Sequence, residues 1–428
     1  MTKIVIIGGG FGGLRAALDL ERQFSTKGAR LTGRQGSAFG GKKDPNIQIV
    51  LVDKRDYHLF TPNLFEVATA DEELTTIKQI KKSIALPFAE ILAGKKIQFV
   101  QGECLNIDSA QKTVQLPGRT LSYDFLILAS GSESDYYGIL GAKEFGLPLK
   151  TLPDALRIRN KIEFVFQAKA LDFTKKNLHF AIAGGGYTGT EVARELKGLL
   201  DFLAWKYNYP REKIEIVVVE ANSKLVEGFD DRLSNDAYNR LQELGVHVRV
   251  SSRISKVDQN FIELMSGEKL AYDALIWTAG VKASVLNGTG VFNKDRKDRI
   301  SVNEFLQVKT MENILAFGDT ACVLGKDGKL VPGSAQDAVD QGKYVAEVLP
   351  YLMKNKKPPL PYKNKPHGYI LSLGGKWAIL DYNKFYFSGY FAYLVGVLVH
   401  LRYFASLLGI IKAIKLTWFK TELYSRND

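Results

Sequence analysis

Two stretches of the chain repeat one pattern of apolar and glycine positions. Ile4-Val5-Ile6-Ile7 runs into Gly8-Gly9-Gly10-Phe11-Gly12-Gly13, and Phe180-Ala181-Ile182-Ala183 runs into Gly184-Gly185-Gly186-Tyr187-Thr188-Gly189. An unbroken apolar run this short, closed by glycines, reads as a strand buried on both faces. Behind each glycine cluster the spacing becomes helical: Leu14, Ala17 and Leu18 share one face, as do Val192, Leu196 and Leu199. Each unit then offers a second apolar run that ends in an acid, Ile47-Gln48-Ile49-Val50-Leu51-Val52-Asp53 and Ile214-Glu215-Ile216-Val217-Val218-Val219-Glu220. Strand, helix and strand joined by a right-handed crossover build a parallel sheet. The downstream ends match as well. Leu121-Ser122-Tyr123-Asp124-Phe125-Leu126-Ile127 leads to Ala129-Ser130-Gly131, and Leu270-Ala271-Tyr272-Asp273-Ala274-Leu275-Ile276 leads to Thr278-Ala279-Gly280. The pattern is that of a duplicated α/β domain, since solenoid repeats are shorter.

The C-terminal pattern differs. From Gly389 to Ile411 the run is long enough to span a bilayer. His400 and Arg402 sit near its centre, however, and an arginine there costs about 2.5–3.5 kcal/mol on insertion scales. Leu407, Ile411, Ile414 and Trp418 form a helical stripe with Lys412, Lys415 and Lys420 outside it. That is the arrangement of a helix lying in a membrane interface, with lysines at the headgroups. Residues 385–420 are therefore expected to bind a membrane surface without crossing it, and truncation after Asp381 is expected to leave a soluble protein. A spanning helix and packing of the stripe within a homodimer are the alternatives.

Charge sharpens this picture. The chain has 58 Lys/Arg against 46 Asp/Glu, a net +12. The excess sits in 354–428, with 12 basic and 3 acidic residues, and in the Gly-, Ser- and Lys-rich stretch 25–46. A neutral body with a basic tail suits an anionic lipid surface, and no nucleic-acid partner is expected. The stretch 25–46 reads as an insertion between the first helix and the second strand. Hydrophobic residues at 46% and charged residues at 24% are ordinary for a globular protein. The run Ile4–Ile7 is too short for a signal h-region. Two cysteines, Cys104 and Cys322, exclude a disulfide scaffold, and five histidines without ligand spacing point to no metal.

The glycine spacing carries chemistry. In G-x-G-x-x-G the first glycine makes a tight turn, the second lets the backbone approach a pyrophosphate, and the third lets helix and strand pack closely. The helix N-terminus then faces the phosphate charge. Asp53 and Glu220, at the second strand ends, can accept hydrogen bonds from the ribose hydroxyls of an adenosine. Asp53 lies 40 positions after Gly13 because of the insertion, beyond the usual ~20, but the strand before it restores the context. Glu220 is followed by Ala221-Asn222, with no arginine for a 2′-phosphate, so NADH is expected over NADPH. Two dinucleotide sites in one chain suit electron transfer between nicotinamide and flavin.

Further segments carry a family resemblance. Tyr123-Asp124-x-Leu126-Ile127-x-Ala129-Ser130-Gly131 resembles the D-x-L-hydrophobic-A-T-G strand and turn of the two-dinucleotide flavoprotein reductases, with Ser for Thr. Thr310-x4-Leu315-Ala316-x-Gly318-Asp319 resembles their T…A-x-G-D motif, with Leu where an aromatic is common. Within that superfamily, Tyr57-His58-Leu59-Phe60-x-Pro62-x-Leu64-Phe65-x-Val67-Ala68 resembles the type II NADH:quinone oxidoreductases. Ala335-Gln336-x-Ala338-x-x-Gln341-Gly342 resembles part of their quinone-site helix, with Asp340 where a Gln is common. The redox Cys pair of the disulfide reductases is missing, and Cys104 and Cys322 read as small buried hydrophobes.

The resemblance covers nearly the whole chain and implies the following. The fold is α/β, two Rossmann-like doubly wound dinucleotide-binding domains plus a C-terminal amphipathic membrane-anchoring segment. The FAD-binding domain takes 1–149 and 291–375, the NADH-binding domain 150–290 and the anchor 376–428. FAD, held non-covalently, meets Gly8, Gly9, Gly10, Phe11, Gly12, Gly13, Asp53, Lys54, Cys104, Ala129, Ser130, Gly131, Gly318, Asp319, Ala335, Gln336 and Lys376. NADH meets Gly184, Gly186, Tyr187, Thr188, Gly189, Glu191, Glu220 and Gly280. Glu191, placed in the first turn of its helix, Gln336 and Lys376 serve catalysis. The implied activity is transfer of a hydride from NADH to FAD and of two electrons to a membrane quinone, uncoupled from proton pumping. The implied place is the cytoplasmic face of a bacterial inner membrane or an equivalent organelle membrane. Alternatives are an NAD(P)H reductase for a quinone-biosynthesis intermediate, a soluble ferredoxin- or rubredoxin-type reductase, and a non-catalytic flavoprotein redox sensor.

Overall fold

The computed structural model describes residues 1–25, 46–71, 75–171, 176–288, 292–309, 311–325, 328–383 and 385–424. All but the ends of the insertion 25–46, and Thr310, lie outside the described residues. The chain forms two compact units, 1–58 with 86–133 and 281–367, and 59–85 with 134–280 and 368–428. Residues 59–85 thus group with the second unit rather than the first. The reason is the short helix Leu64–Ala68, which packs on the helices Leu152–Ala170 and Tyr187–Lys206.

The first unit is built on a six-stranded sheet in the order Gln307–Val308, Met311–Ala316, Phe125–Leu128, Thr2–Ile7, Ile47–Asp53, Ile97–Gln101. Only the first pair is antiparallel. The apolar run is fully buried from Ile4 to Ile6, as a central parallel strand requires. The helices Phe11–Phe24 and Ala335–Leu352 cross at contact distance. A Cβ on Gly342 would lie 2.3 Å from the carbonyl oxygen of Gly12. This packing gives Ala338 and Gly342 a reason to be small.

The second unit has a five-stranded parallel sheet in the order Leu147–Pro148, Ala274–Trp277, Leu178–Ala183, Ile214–Val219, His247–Arg249. The duplication extends to register. Ile4 stands opposite Phe125 in one sheet, and Phe180, its counterpart, stands opposite Ala274 in the other. A carboxylate locks each register: Asp124 accepts from the Lys3 amide at 2.7 Å, and Asp273 from the His179 amide at 2.9 Å.

The tail belongs to the second unit. A three-stranded antiparallel sheet, Tyr369–Ser372, Ala378–Tyr382 and Phe385–Gly389, leads into the helices Tyr390–Leu408 and Ile410–Tyr424. The first tail helix is, among the described residues, long and apolar enough to cross a membrane by length and composition. Gly409, at φ +81°, separates the two helices and interrupts the expected stripe. Leu407 is buried before the break, while Ile411, Ile414 and Trp418 are exposed after it. Lys412 and Lys415 are exposed as expected. Lys420 is not: it is buried, and its Nζ donates to Asn63 Oδ1 at 2.6 Å. The truncation expected to leave a soluble protein cuts inside the strand Ala378–Tyr382 and removes the fully buried Ala392 and Phe404. The cut therefore breaks this sheet and uncovers Ala378 and Leu380, which pack against Ala392.

Candidate functional site

The first glycine turn is shaped by close approach. Gly8 has φ +104°, and a Cβ there would lie 2.2 Å from the carbonyl oxygen of Ala129. A Cβ on Gly13 would lie 2.0 Å from the Gly8 oxygen, one on Gly9 would enter the Phe88 ring, and one on Gly12 the Phe317 ring. Gly10, by contrast, faces open space. It caps the helix that begins at Phe11 without any side-chain hydrogen bond, so the first-turn amides stay available to an anion. Asp53 is buried; its Oδ2 accepts from the Gly9 amide at 2.7 Å and its Oδ1 from the Arg55 amide at 2.9 Å.

The second turn repeats this arrangement. Gly184 has φ +100°, a Cβ on Gly189 would lie 1.9 Å from the Gly184 oxygen, and Gly186 faces open space as an uncapped helix start. Glu220 is buried and accepts from the Gly185 amide at 2.6 Å and the Asn222 amide at 2.8 Å. Each turn therefore combines an open glycine, a bare helix N-terminus and a carboxylate fixed by backbone amides, which is what a dinucleotide needs.

Around the first turn, Ala129-Ser130-Gly131 and Gly318-Asp319 are laced together. The Gly131 amide donates to Thr320 Oγ1 at 3.0 Å, Ser130 Oγ lies 3.3 Å from the same atom, and Ser132 Oγ donates to Asp319 Oδ2 at 2.5 Å. The Gly318 amide donates to the buried Gln341 amide oxygen at 2.7 Å. Ser132, Gly318, Asp319, Ala338 and Gln341 border a cavity of about 240 Å³. Lys54 is exposed and pairs with Glu103 at 3.6 Å. Cys104 is half-buried, and burial pushes its thiol up to about 11, so it carries no reactive thiolate.

Gln336 is exposed beside Ala335, in the first turn of a helix capped by Ser334, whose Oγ accepts from the Asp337 amide at 3.0 Å. Asp340 pairs with Lys343 at 2.9 Å and His367 at 3.4 Å. In the second unit, Thr188 is exposed and Tyr187 packs edge-on against Phe229. Gly280 abuts the Tyr137 hydroxyl, which donates to the Ala279 oxygen at 3.2 Å. Lys376 is exposed, at φ +56°, in the turn between the strands Tyr369–Ser372 and Ala378–Tyr382.

Glu191 corrects one expectation. The helix starts at Tyr187, so Glu191 is its fifth residue and lies beyond the first turn, where the helix dipole acts most directly. Its Oε1 accepts from the Ser372 amide at 3.4 Å. Burial holds its carboxyl well above the ordinary range; the Ser372 amide opposes this, and repulsion from Glu66 and Glu195 adds to it.

His58 escaped the sequence reading as a site residue. It is fully buried, its Nδ1 lies 3.0 Å from the Gly9 oxygen, and its ring meets Phe11 edge-on at 5.0 Å. Burial lowers its pKa to about 4, so the neutral ring donates to the glycine turn. The only signal was its place inside the Tyr57–Ala68 resemblance. Gln341 was visible beside Asp340, but its bond to Gly318 joins residues that no local pattern connects.

The pyridine nucleotide-disulphide oxidoreductase family matches residues 2–342. The chain is 30% identical to the demethylphylloquinone reductase NdbB of Synechocystis, over 94% of this chain and 92% of that protein. It is 28% identical to the type II NADH:quinone oxidoreductase Ndh of Mycobacterium tuberculosis, over 99% of this chain and 89% of that one. The structure of NDH2 from Plasmodium falciparum in complex with NADH aligns with a TM-score of 0.82 at 20% identity, covering 99% of both chains. The chain belongs to the pyridine nucleotide-disulphide oxidoreductase family, and it is similar nearly end to end to type II NADH:quinone oxidoreductases.

Proposed function

We propose that this protein oxidises NADH and reduces a membrane quinone, with FAD held non-covalently in the first unit. The observation that carries the reading is the doubled cradle: two open glycines, two bare helix starts and two backbone-fixed carboxylates. Gly10, Asp53, Ser130, Gly131 and Asp319 would hold FAD; Gly186 and Glu220 would hold NADH. Bound FAD supplies the two-electron relay between nicotinamide and quinone.

The chain's own residues do the rest. The buried Glu220 carboxylate repels a 2′-phosphate and so selects NADH. Burial holds the carboxyl of Glu191 well above its ordinary range, which suits a reaction that consumes a proton: NADH, a proton and a quinone give NAD⁺ and a quinol. Gln336 offers an amide that can meet a quinone carbonyl or a quinol hydroxyl. Lys376 adds an exposed cation. With only two cysteines, and the Cys104 thiol pushed up by burial, disulfide exchange is not supported. On the tail, the exposed Phe391, Leu398, Ile411 and Trp418 with Lys412 and Lys415 fit a surface-lying anchor on the cytoplasmic face of a bacterial inner membrane or its organelle equivalent. The second reading, reduction of a quinone-biosynthesis intermediate, is favoured by the similarity to demethylphylloquinone reductase.

The test is steady-state turnover with NADH and NADPH against a soluble ubiquinone, a menaquinone analogue and a demethylated naphthoquinone. Turnover with NADH is expected; no quinone-dependent oxidation of either nucleotide would overturn the proposal. A strong preference for the demethylated substrate would favour the second reading. In stopped flow, Gln336→Ala should slow quinone-driven flavin reoxidation and spare flavin reduction. Equal damage to both would remove Gln336 from the quinone side. High salt or alkaline carbonate should release the protein from native membranes, and retention through both would point to a spanning helix.

A further inference from the structure

The second tail helix has two unlike faces. Ile411, Ile414 and Trp418 are exposed on one, while Ala413, Leu416, Thr417 and Lys420 are buried on the other. A lysine on an interfacial helix normally keeps its head in water. Lys420 does the reverse, and a charge withdrawn from water persists only with partners. It has three. Its Nζ donates to Asn63 Oδ1 at 2.6 Å, lies 3.3 Å from His400 Nδ1, and sits 5.4 Å from the centre of the Phe60 ring. His400 is held well below its usual pKa by burial and by Lys420 itself, so its ring is neutral and can accept.

Asn63 passes the charge on. It is almost fully buried, and its Nδ2 donates to Glu66 Oε2. Glu66 stands on the short helix Leu64–Ala68, which packs on the helix bearing Glu191, and its charge acts on the Glu191 carboxyl. One amide side chain thus joins an ammonium from the end of the chain to a carboxylate that repels Glu191. The groups around the carboxyl pair come from several elements. Arg194, Glu195 and Tyr187 share the helix of Glu191, the Ser372 amide comes from the tail sheet, and Lys420 and His400 come from the two tail helices.

We propose that Lys420 is a positioning residue for proton handling, polarising the Glu66–Glu191 carboxyl pair through the amide of Asn63, so that the tail completes this cluster besides serving as an anchor. The proposal rests on the reading that Glu191 serves the proton-consuming side of quinone reduction. A cation favours the ionised form of a nearby carboxyl. Removing the ammonium therefore strengthens proton binding by the pair.

The test uses full-length protein in detergent with a short-tailed quinone, so that membrane attachment plays no part. Lys420→Gln keeps a hydrogen-bond donor toward Asn63 and removes the charge. The alkaline limb of the pH profile for quinone-driven flavin reoxidation should move up by about half a pH unit or more, while flavin reduction by NADH keeps its rate. Lys420→Arg should restore the wild-type profile. An unmoved limb in Lys420→Gln, or equal slowing of both half-reactions, overturns the proposal. If Lys420→Gln does not fold, Asn63→Ser breaks the same bridge from the other side and must give the same upward shift. Carboxyl titration by difference infrared spectroscopy, with Glu191→Gln to assign the band, separates this proposal from the function. Absence of quinone turnover in the wild-type protein would sink the function, yet a band shifted upward in Lys420→Gln would still support the link from Lys420 to the carboxyl pair.

Discussion

The two nucleotide helices begin alike and part company just past the first turn. Two positions past the last glycine of the first turn stands Arg15, whose Nε donates to Asp19 Oδ2 at 2.6 Å, four residues on. At the same two places the second helix carries Glu191 and Glu195. An opposite-charge pair at this spacing stabilises a helix by about 0.2–0.5 kcal/mol, and a like-charge pair destabilises it by a similar amount. The turns otherwise coincide in glycine geometry and in the amide bonds to their acids, so the first unit is an internal control for the second. Helix stability does not account for Glu191. A carboxyl raised well above its ordinary range by burial, with two neighbouring acids adding to the shift, is what the proposed proton role calls for.

The largest expected effect breaks the symmetry of the turns themselves. Gly8→Ala places a Cβ 2.2 Å from the Ala129 oxygen in a left-handed conformation, and the purified protein should be colourless. Gly184→Ala makes the corresponding collision with Ala279 in the other unit, 2.5 Å from its Cα. That variant should stay yellow and be reduced by dithionite but not by NADH. The opposite outcome, with colour lost in Gly184→Ala and kept in Gly8→Ala, would exchange the two nucleotide assignments.

The next effect tests what lies behind each turn. The Gly185 oxygen accepts from Thr190 Oγ1 at 3.3 Å, whereas the Gly9 oxygen meets His58. The pKa of His58 is lowered by burial from 6.5 to about 4. The unfolded state therefore binds a proton that the native state refuses. Stability from this group is complete above pH 6.5 and is lost as pH falls toward 4, amounting to about 3 kcal/mol. Flavin release, followed by fluorescence, should steepen across that window. In His58→Asn, which can still donate to Gly9, the slope should flatten; an unchanged slope would mean that other groups govern acid release.

Much of the doubled architecture was legible because its determinants are local. Apolar runs, glycines and terminal acids lie within a few residues of one another, and the structure pairs even the registers as the repeated segments imply. The tail was legible in part. Periodicity placed Lys420 outside the apolar stripe, but Gly409 ends one helix and restarts the count, and the partner of Lys420 lies 357 residues away. The grouping of 59–85 with the second unit likewise depends on packing by Leu64–Ala68, for which the neighbouring sequence carries no sign. His58 was readable only as one letter of a longer resemblance, because its role comes from burial beneath Gly9.

A smaller effect separates the two acids. Glu220→Gln removes the repulsion of a 2′-phosphate while an amide oxygen can still accept from Gly185. The ratio of kcat/KM for NADH over NADPH should fall by about tenfold or more, equivalent to ~1.4 kcal/mol. An unchanged ratio would make Glu220 a structural fixture of the turn alone.

The smallest effect returns to the pair that distinguishes the helices. Glu195 repels Glu191 and also pairs with Arg194 at 3.7 Å. Glu195→Gln removes both interactions, so the change in overall stability should stay within about 0.5 kcal/mol. Its effect on Glu191 has a definite sign. Taking away a neighbouring negative charge favours the ionised carboxyl, so Glu191 should release its proton at lower pH than in the wild type. This is opposite to the shift expected for Lys420→Gln, where a positive charge is withdrawn. Infrared titration of the carboxyl band in the two variants reads both signs in one measurement. Shifts in the same direction would mean that packing changes, and not charge, control Glu191, and the contrast between the two helices would then reflect their surroundings instead of the charges at these two positions.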